Sequence, residues 1–127
     1  MKVENLTVDI KDTEHPIMQE LKPFTAKTDE LYANLRWPPE GSYHVLATAY
    51  EDHALYSGRA RQPTPGPGIH QPMLWTTNYG KRRVFVTTLG HGPDEVVNQG
   101  FVVTFSRGAE WAATGKVTLP LPDEMRK

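Results

Sequence analysis

The sequence contains no cysteine. This absence excludes a disulfide framework, a thiolate metal site and a cysteine nucleophile. Neither sign of charge is in surplus, because 14 Lys and Arg stand against 15 Asp and Glu, for a formal net charge of -1. The composition therefore indicates no nucleic-acid partner and no acidic solvating tail.

Long hydrophobic runs are missing as well. No apolar stretch approaches the about 20 residues that a membrane-spanning helix needs, and residues 1–5 lack the apolar core of a signal peptide. We therefore expect a cytoplasmic protein with no membrane partner. The 127 residues suffice for one hydrophobic core, so a single domain over residues 1–127 is expected.

Strand patterns dominate what is present. Residues 6–10 alternate between apolar and polar side chains, as a half-buried strand does, and residues 43–50 are mostly apolar. Residues 72–77 and 84–89 flank a turn at 78–80, which predicts a hairpin ending in a buried strand. A weaker strand pattern covers residues 29–35 and begins with the acidic pair Asp29 and Glu30.

Helical spacing occurs in two places. Apolar residues between 101 and 113 recur at helical intervals, with Asn98 as a plausible N-cap and Gly115 just past the end. This pattern predicts a helix packed on the sheet. Pro16 can open a second, short helix that runs to Leu21.

Two further segments read as irregular. Residues 51–70 are dense in proline and glycine, which predicts a surface loop with little contact to the core. Residues 119–122, Leu-Pro-Leu-Pro, predict an extended tail.

The most useful functional clue is a histidine that comes just after a predicted strand in the sequence. His91 directly follows Gly90, where the strand at 84–89 ends, and open α/β sheets bind their ligands at the carboxyl ends of strands. With Asp94 and Glu95 close by, its imidazole can act as a general base or bind a metal. The alternative is a histidine that caps a helix or fixes a loop.

A second polar set lies where the weaker strand begins. Glu30 and Tyr32 would share one face of a strand, so we expect them to face a pocket together and Asp29 less so. Paired carboxylates can divide acid and base roles. The alternative is a solvated strand end.

Four other histidines are less specific. His15 can bind a sugar hydroxyl or a metal, or only hold the turn around it. We predict that His15 and His91 converge on one concave site, because both follow predicted strands. His44, His53 and His70 have no compact metal spacing and are expected at the surface.

Two of the three tryptophans can contribute to a binding site. Trp37 and Trp75 can stack against the apolar face of a sugar ring. Trp111, in the predicted helix, is expected in the core.

Four segments carry a resemblance to a known family: DTEHPI at 12–17, DELY at 29–32, VLATA at 45–49 and YGKRRVFVTTLGH at 79–91. In this order along the chain they resemble the trehalose-utilisation (ThuA-like) family. The helix end RGAEWAA at 107–113 fits the family too, so the resemblance covers nearly the whole chain. The resemblance implies a class I glutamine-amidotransferase-like, flavodoxin-like α/β domain that is linked to sugar metabolism.

The resemblance is to the carboxyl-terminal portion of that domain. A complete family domain begins with βα units before the segment matched by Leu6, and the amidotransferase nucleophile lies in those units. Because cysteine is absent, the amidotransferase reaction is not carried over. The resemblance supports the placement of His91 but implies no mechanism.

We therefore expect an α/β fold with a partial flavodoxin-like sheet, a packed helix and no amino-terminal βα units. The predicted function is linked to trehalose or a related glycoside as a small-molecule partner, and the sequence indicates no particular cofactor or metal. The predicted catalytic residues are His91, Glu30 and His15, and the predicted substrate-binding residues are Tyr32, Asp29 and Trp75.

The alternative is a non-catalytic module that pairs with a partner chain. In either case a sheet without its first βα units would leave an open edge and an uncovered apolar face. We therefore predict a homo-oligomer or a complex with a partner chain rather than a stable monomer.

Overall fold

The computed structural model describes residues 2–33, 35–52 and 68–127. Within those ranges no helix has the length and apolar character needed to cross a membrane. The described residues form five strands, one long helix and a short 3-10 helix. They are β1 (Lys2–Ile10), β2 (Phe24–Glu30), β3 (Tyr43–Glu51), β4 (Ile69–Tyr79), β5 (Arg82–Thr87), α1 (Gln99–Thr114) and the 3-10 helix Asp123–Met125.

The strands form one sheet in the order β2-β1-β3-β4-β5, and every pair is antiparallel. β1 joins the two parts of the sheet, because residues 2–8 pair with β2 while Asp9 and Ile10 pair with β3. α1 contacts β5 at one edge and β2 at the other. The sheet therefore curls around α1, and its two edge strands approach each other.

Glycine lets α1 approach both edge strands. Gly100 and Gly108 are eight residues apart and lie on one face of the helix. A Cβ atom on either would collide with an aromatic ring, that of Phe24 in β2 or that of Phe85 in β5. The two rings therefore occupy the space where helix side chains would stand.

The segment between β1 and β2 packs into the core. Ile17, Met18 and Leu21 are fully buried. The buried Arg107 of α1 holds this segment in place, because its Nη2 donates to the carbonyl of Pro16 at 2.8 Å and to that of Gln19 at 3.3 Å. No sequence pattern had indicated a structural role for this arginine.

Most of the predicted elements are confirmed. Strands cover residues 6–10, 43–50 and 72–77, and the hairpin leads into β5. The helix also has its predicted ends, since Oδ1 of Asn98 accepts the N–H of Gly100 and Gly115 adopts the left-handed backbone conformation. β5 differs in one respect, because it is a half-buried edge strand rather than a core strand.

Two predicted elements are wrong. The strand at 29–35 is absent, because β2 ends at Glu30 and its mostly polar edge-strand sequence gave little signal. The segment after Pro16 forms turns rather than a helix, because Met18 and Gln19 both donate their N–H to the carbonyl of His15. Residues 119–122 have no helix or strand, in keeping with the predicted extended tail, and Leu121 and Met125 of the following 3-10 helix pack on the core.

The α/β class with a packed helix is confirmed, whereas the flavodoxin-like detail is not. A flavodoxin-like sheet is mostly parallel, and the strands described here pair antiparallel. The loop predicted at 51–70 begins inside β3 and ends inside β4. Residues 53–67, with His53, lie outside the described residues.

Candidate functional site

His91 meets two side chains from the end of β2. Its Nδ1 lies 3.0 Å from the Tyr32 hydroxyl oxygen and 3.5 Å from Oε2 of Glu30. Glu30 is the last residue of β2, whereas His91 follows β5 at the opposite edge. The three groups meet because the curled sheet brings those edges together.

The surroundings of Tyr32 favour the protonated form of its phenol. Loss of hydration raises the pKa of Tyr32, and its hydrogen bond to Glu30 and the charges of Glu30 and Asp29 raise it further. The phenol therefore stays protonated and donates to Glu30, since an ionised carboxylate only accepts. In the tautomer that carries its proton on Nδ1, the His91 ring can then donate to the Tyr32 oxygen, and its lone pair lies on Nε2.

Asp29 lies behind the cluster rather than in it. Its side chain is almost completely buried, with 1% of the residue exposed. One oxygen accepts the N–H of Gly90 at 2.9 Å, and the other accepts the N–H of Glu30 at 2.8 Å. Asp29 therefore contacts the backbone, whereas the sequence predicted contact with substrate.

An apolar pocket of about 630 Å³ lies beside His91. The Trp37 and Trp75 rings meet in it at 69°, with 5.0 Å between centroids. Trp37 is held from behind by Tyr43, on which it stacks at 4.8 Å. The residues that line the pocket are Tyr32, Leu35, Arg36, Trp37, Pro38, Trp75, Thr77, Thr87, Thr88, Leu89, Gly90 and His91.

Residues 1–112 match the family described as ThuA, trehalose utilisation. The chain belongs to the ThuA family. Among solved structures it is similar to a ThuA-like protein from Parabacteroides merdae, with 34% identity and a TM-score of 0.77 over 99% of this chain and 46% of that one. This chain thus spans about half the length of that relative. No curated protein matches it.

In this ThuA chain the structure does not bring His15 to His91. His15 packs against Trp111 of α1, with 5.0 Å between the ring centroids. His15 also lies near His44, with 6.2 Å between the ring centroids, and His44 pairs across the sheet with Thr76, the neighbour of Trp75 in β4. Because adjacent strand residues point to opposite faces, His15 and the Trp75 pocket lie on opposite faces of the sheet. The prediction of one shared site is therefore wrong.

His15 has contacts that suit a structural role. Its Nδ1 accepts the N–H of Ile17 at 3.3 Å, which requires an unprotonated nitrogen. Burial lowers the pKa of His15, against the opposing charge of Asp12. A neutral ring that holds the turn accounts for these contacts, and this was the alternative for His15.

The remaining histidines lie at the surface where they are described. His44 donates from Nε2 to the Asp12 carboxylate at 2.7 Å, and His70 contacts Thr48 at 3.1 Å. Both are exposed, as predicted. In the described part of the chain, no group of three or more His, Asp or Glu side chains is placed to hold a metal ion.

Sequence reasoning missed part of the pocket lining. Thr77 could have been found, because it is two residues from Trp75 in the same strand and shares its face. Arg36 gave no signal, since it lies in an irregular segment after β2. Trp111 is half-buried between His15 and Arg83 rather than deep in the core.

Proposed function

We propose that this ThuA chain binds a sugar or glycoside in the pocket beside His91, and that His91 acts on it as a general base. The observation that carries the proposal is the hydrogen bond between Tyr32 and His91 at the rim of an aromatic pocket. The family's link to trehalose utilisation supports a carbohydrate as the ligand.

The aromatic lining suits a sugar ring. Trp37 and Trp75 form a corner, because their rings are close to perpendicular. The C–H face of a pyranose can lie on one indole while its edge rests against the other. Hydroxyl groups at the ring edge can then bind polar lining groups such as Arg36 and Thr87. The volume lies in the range of about 300–1,000 Å³ that is usual for small-molecule sites.

The polar cluster suits proton transfer. His91 Nε2 carries the lone pair and its side chain is about half exposed, so it can accept a proton from a sugar hydroxyl. The imidazolium formed in this step is stabilised by Glu30, whose carboxylate lies 3.5 Å from Nδ1. Tyr32 keeps the ring oriented through its hydroxyl.

This assignment concerns a part of a larger family fold. The solved relative has about twice the length of this chain. We propose that a complete ThuA domain adds flavodoxin-like, class I glutamine-amidotransferase-like βα units to the antiparallel sheet described here. The glycoside site would then use residues of both parts.

Replacing Trp75 by leucine tests the sugar site. We expect the affinity for trehalose, or for the best ligand among trehalose, maltose, sucrose and glucose, to fall about tenfold. The reason is the loss of about 1–2 kcal/mol of stacking and apolar contact. Titration followed by saturation-transfer NMR and calorimetry measures the change.

The matched control is Trp111→Leu, which removes a half-buried indole from the opposite face of the sheet. It should leave the affinity within twofold of the unchanged chain. Equal affinities for Trp75→Leu and the unchanged chain, or no binding of any of the four sugars, would contradict the proposal.

A second candidate function is a non-catalytic module that self-associates through α1. Large apolar side chains are exposed on and before this helix: Val97 is 73% exposed, Phe105 50% and Val102 46%. Such a patch is typical of an interface. We propose a second copy of the chain as its partner, because a two-fold contact of α1 with itself buries both patches at once.

Light scattering over a dilution series tests this association. We expect a mass above that of the monomer that falls on dilution, and a monomer at every concentration for Phe105→Glu. Ala113→Glu, at an exposed position near the helix end, should behave like the unchanged chain. A monomer throughout for the unchanged chain rejects self-association, and a monomer that binds only a different chain identifies a hetero-partner instead.

A further inference from the structure

The buried carboxylate of Asp29 accepts hydrogen bonds from backbone N–H groups in two distant parts of the chain. Its Oδ2 accepts the N–H of Gly90 at 2.9 Å, and its Oδ1 accepts that of Glu30 at 2.8 Å and lies 3.5 Å from that of His91. No Lys or Arg pairs with it in the described ranges. Its charge is therefore balanced by N–H groups, which form strong hydrogen bonds to carboxylates.

These bonds tie together the two halves of the polar cluster. Asp29 immediately precedes Glu30 in β2, and Gly90 immediately precedes His91 after β5. The Asp29 carboxylate thus fixes the backbone at Glu30 and at Gly90, and thereby the positions from which the Glu30 and His91 side chains extend. A shift of either backbone would change the 3.5 Å distance between their side chains.

The conformation of Gly90 makes this contact possible. Its φ of +88° is readily adopted by glycine and strained for other residues. The absence of a Cβ also leaves room for the Phe101 ring. The N–H of Gly90 can therefore point at Asp29 while the next side chain, His91, turns to Tyr32.

We propose that Asp29 is a positioning residue that sets the tautomer and orientation of His91. By holding residues 90 and 91 against the end of β2, it keeps Nδ1–H on the Tyr32 oxygen and leaves the lone pair on Nε2. Asp29 touches no substrate in this scheme. The inference rests on the proposed function, in which Nε2 of His91 is the base.

The test is Asp29→Asn, observed by nitrogen-15 NMR of the His91 ring. An amide has one accepting oxygen, so it cannot accept from both Gly90 and Glu30 in the geometry of the carboxylate. We expect the unchanged chain to hold His91 mainly as the Nδ1–H tautomer and the variant to hold a mixture of both. Turnover of a bound sugar should fall on the order of 10-fold, the lower end of what is lost when the group behind a metal-ligating histidine is changed.

Asp94→Asn is the matched control, because it makes the same chemical change at an exposed position three residues after His91. It should leave the His91 ring signals unchanged. A folded Asp29→Asn variant with the ring signals of the unchanged chain would overturn the proposal.

If Asp29→Asn does not fold, the unchanged chain decides the question. The amide signal of Gly90 should then titrate together with the carboxyl carbon of Asp29, and independent titrations would overturn the proposal. Loss of the tautomer preference with unchanged sugar turnover would reject the base role of His91, whereas a preserved tautomer preference without sugar binding would reject only the ligand.

Discussion

Replacing Gly90 by alanine is expected to lower the free energy of unfolding by about 2–4 kcal/mol, through backbone strain and a steric collision together. The φ of +88° is costly for a residue with a Cβ. That Cβ would also lie 2.5 Å from a ring carbon of Phe101. Because Phe101 belongs to the first turns of α1 and packs on the core, it has little freedom to move away. Urea unfolding followed by circular dichroism measures the loss.

Gly41 supplies the matched control. Its φ is +85°, almost that of Gly90, and a Cβ there would meet no atom within 4 Å. Gly41→Ala should therefore cost only the strain, about 1–2 kcal/mol. The difference between the two variants isolates the collision with Phe101. Equal losses for Gly90→Ala and Gly41→Ala would show that the ring yields without cost.

Gly108→Ala is expected to destabilise the protein, although the same change usually stabilises a helix. In an exposed helix interior alanine is favoured over glycine by about 1 kcal/mol. Here the added methyl group would enter the ring of Phe85, and overpacking of this kind costs about 1–3 kcal/mol. The net change measured by urea unfolding should therefore be a loss of stability.

A double-mutant cycle with Phe85→Leu checks the cause. The smaller side chain should remove most of the cost of Gly108→Ala, so the two changes should not be additive. If Gly108→Ala stabilises the chain in the presence of Phe85, the close packing of α1 on β5 is wrong. If the losses of unfolding free energy from Gly108→Ala and Phe85→Leu are additive, the strain does not come from the Phe85 ring.

Local signals predicted the elements of this fold well. The β4–β5 hairpin has turn residues between apolar runs, and α1 has a capping asparagine and a terminal glycine. These features depend only on residues a few positions apart. β2 was missed, because an edge strand with one buried alanine carries almost no apolar pattern.

The composition of the candidate site could be predicted only in part. The sequence neighbours of Tyr32, Glu30 and His91 were enough to predict each of them as a site residue. Their contact with one another depends on the curl of the whole sheet, which those neighbours do not determine. The error over His15 has a related cause. Parallel strands end at the same edge of a sheet, whereas successive antiparallel strands end at opposite edges. The positions of His15 and His91 after predicted strands therefore did not imply that the two side chains share a site.

The bond between Asp29 and Gly90 joins residues that are 61 positions apart. Closing so long a loop costs chain entropy, and distant contacts of this kind slow folding. A partly folded chain could already hold the β4–β5 hairpin, with Trp75 in place, and still lack the base. In kinetic terms, we expect the proposed proton acceptor to be assembled after the hairpin that carries Trp75, once the two edges of the sheet have met.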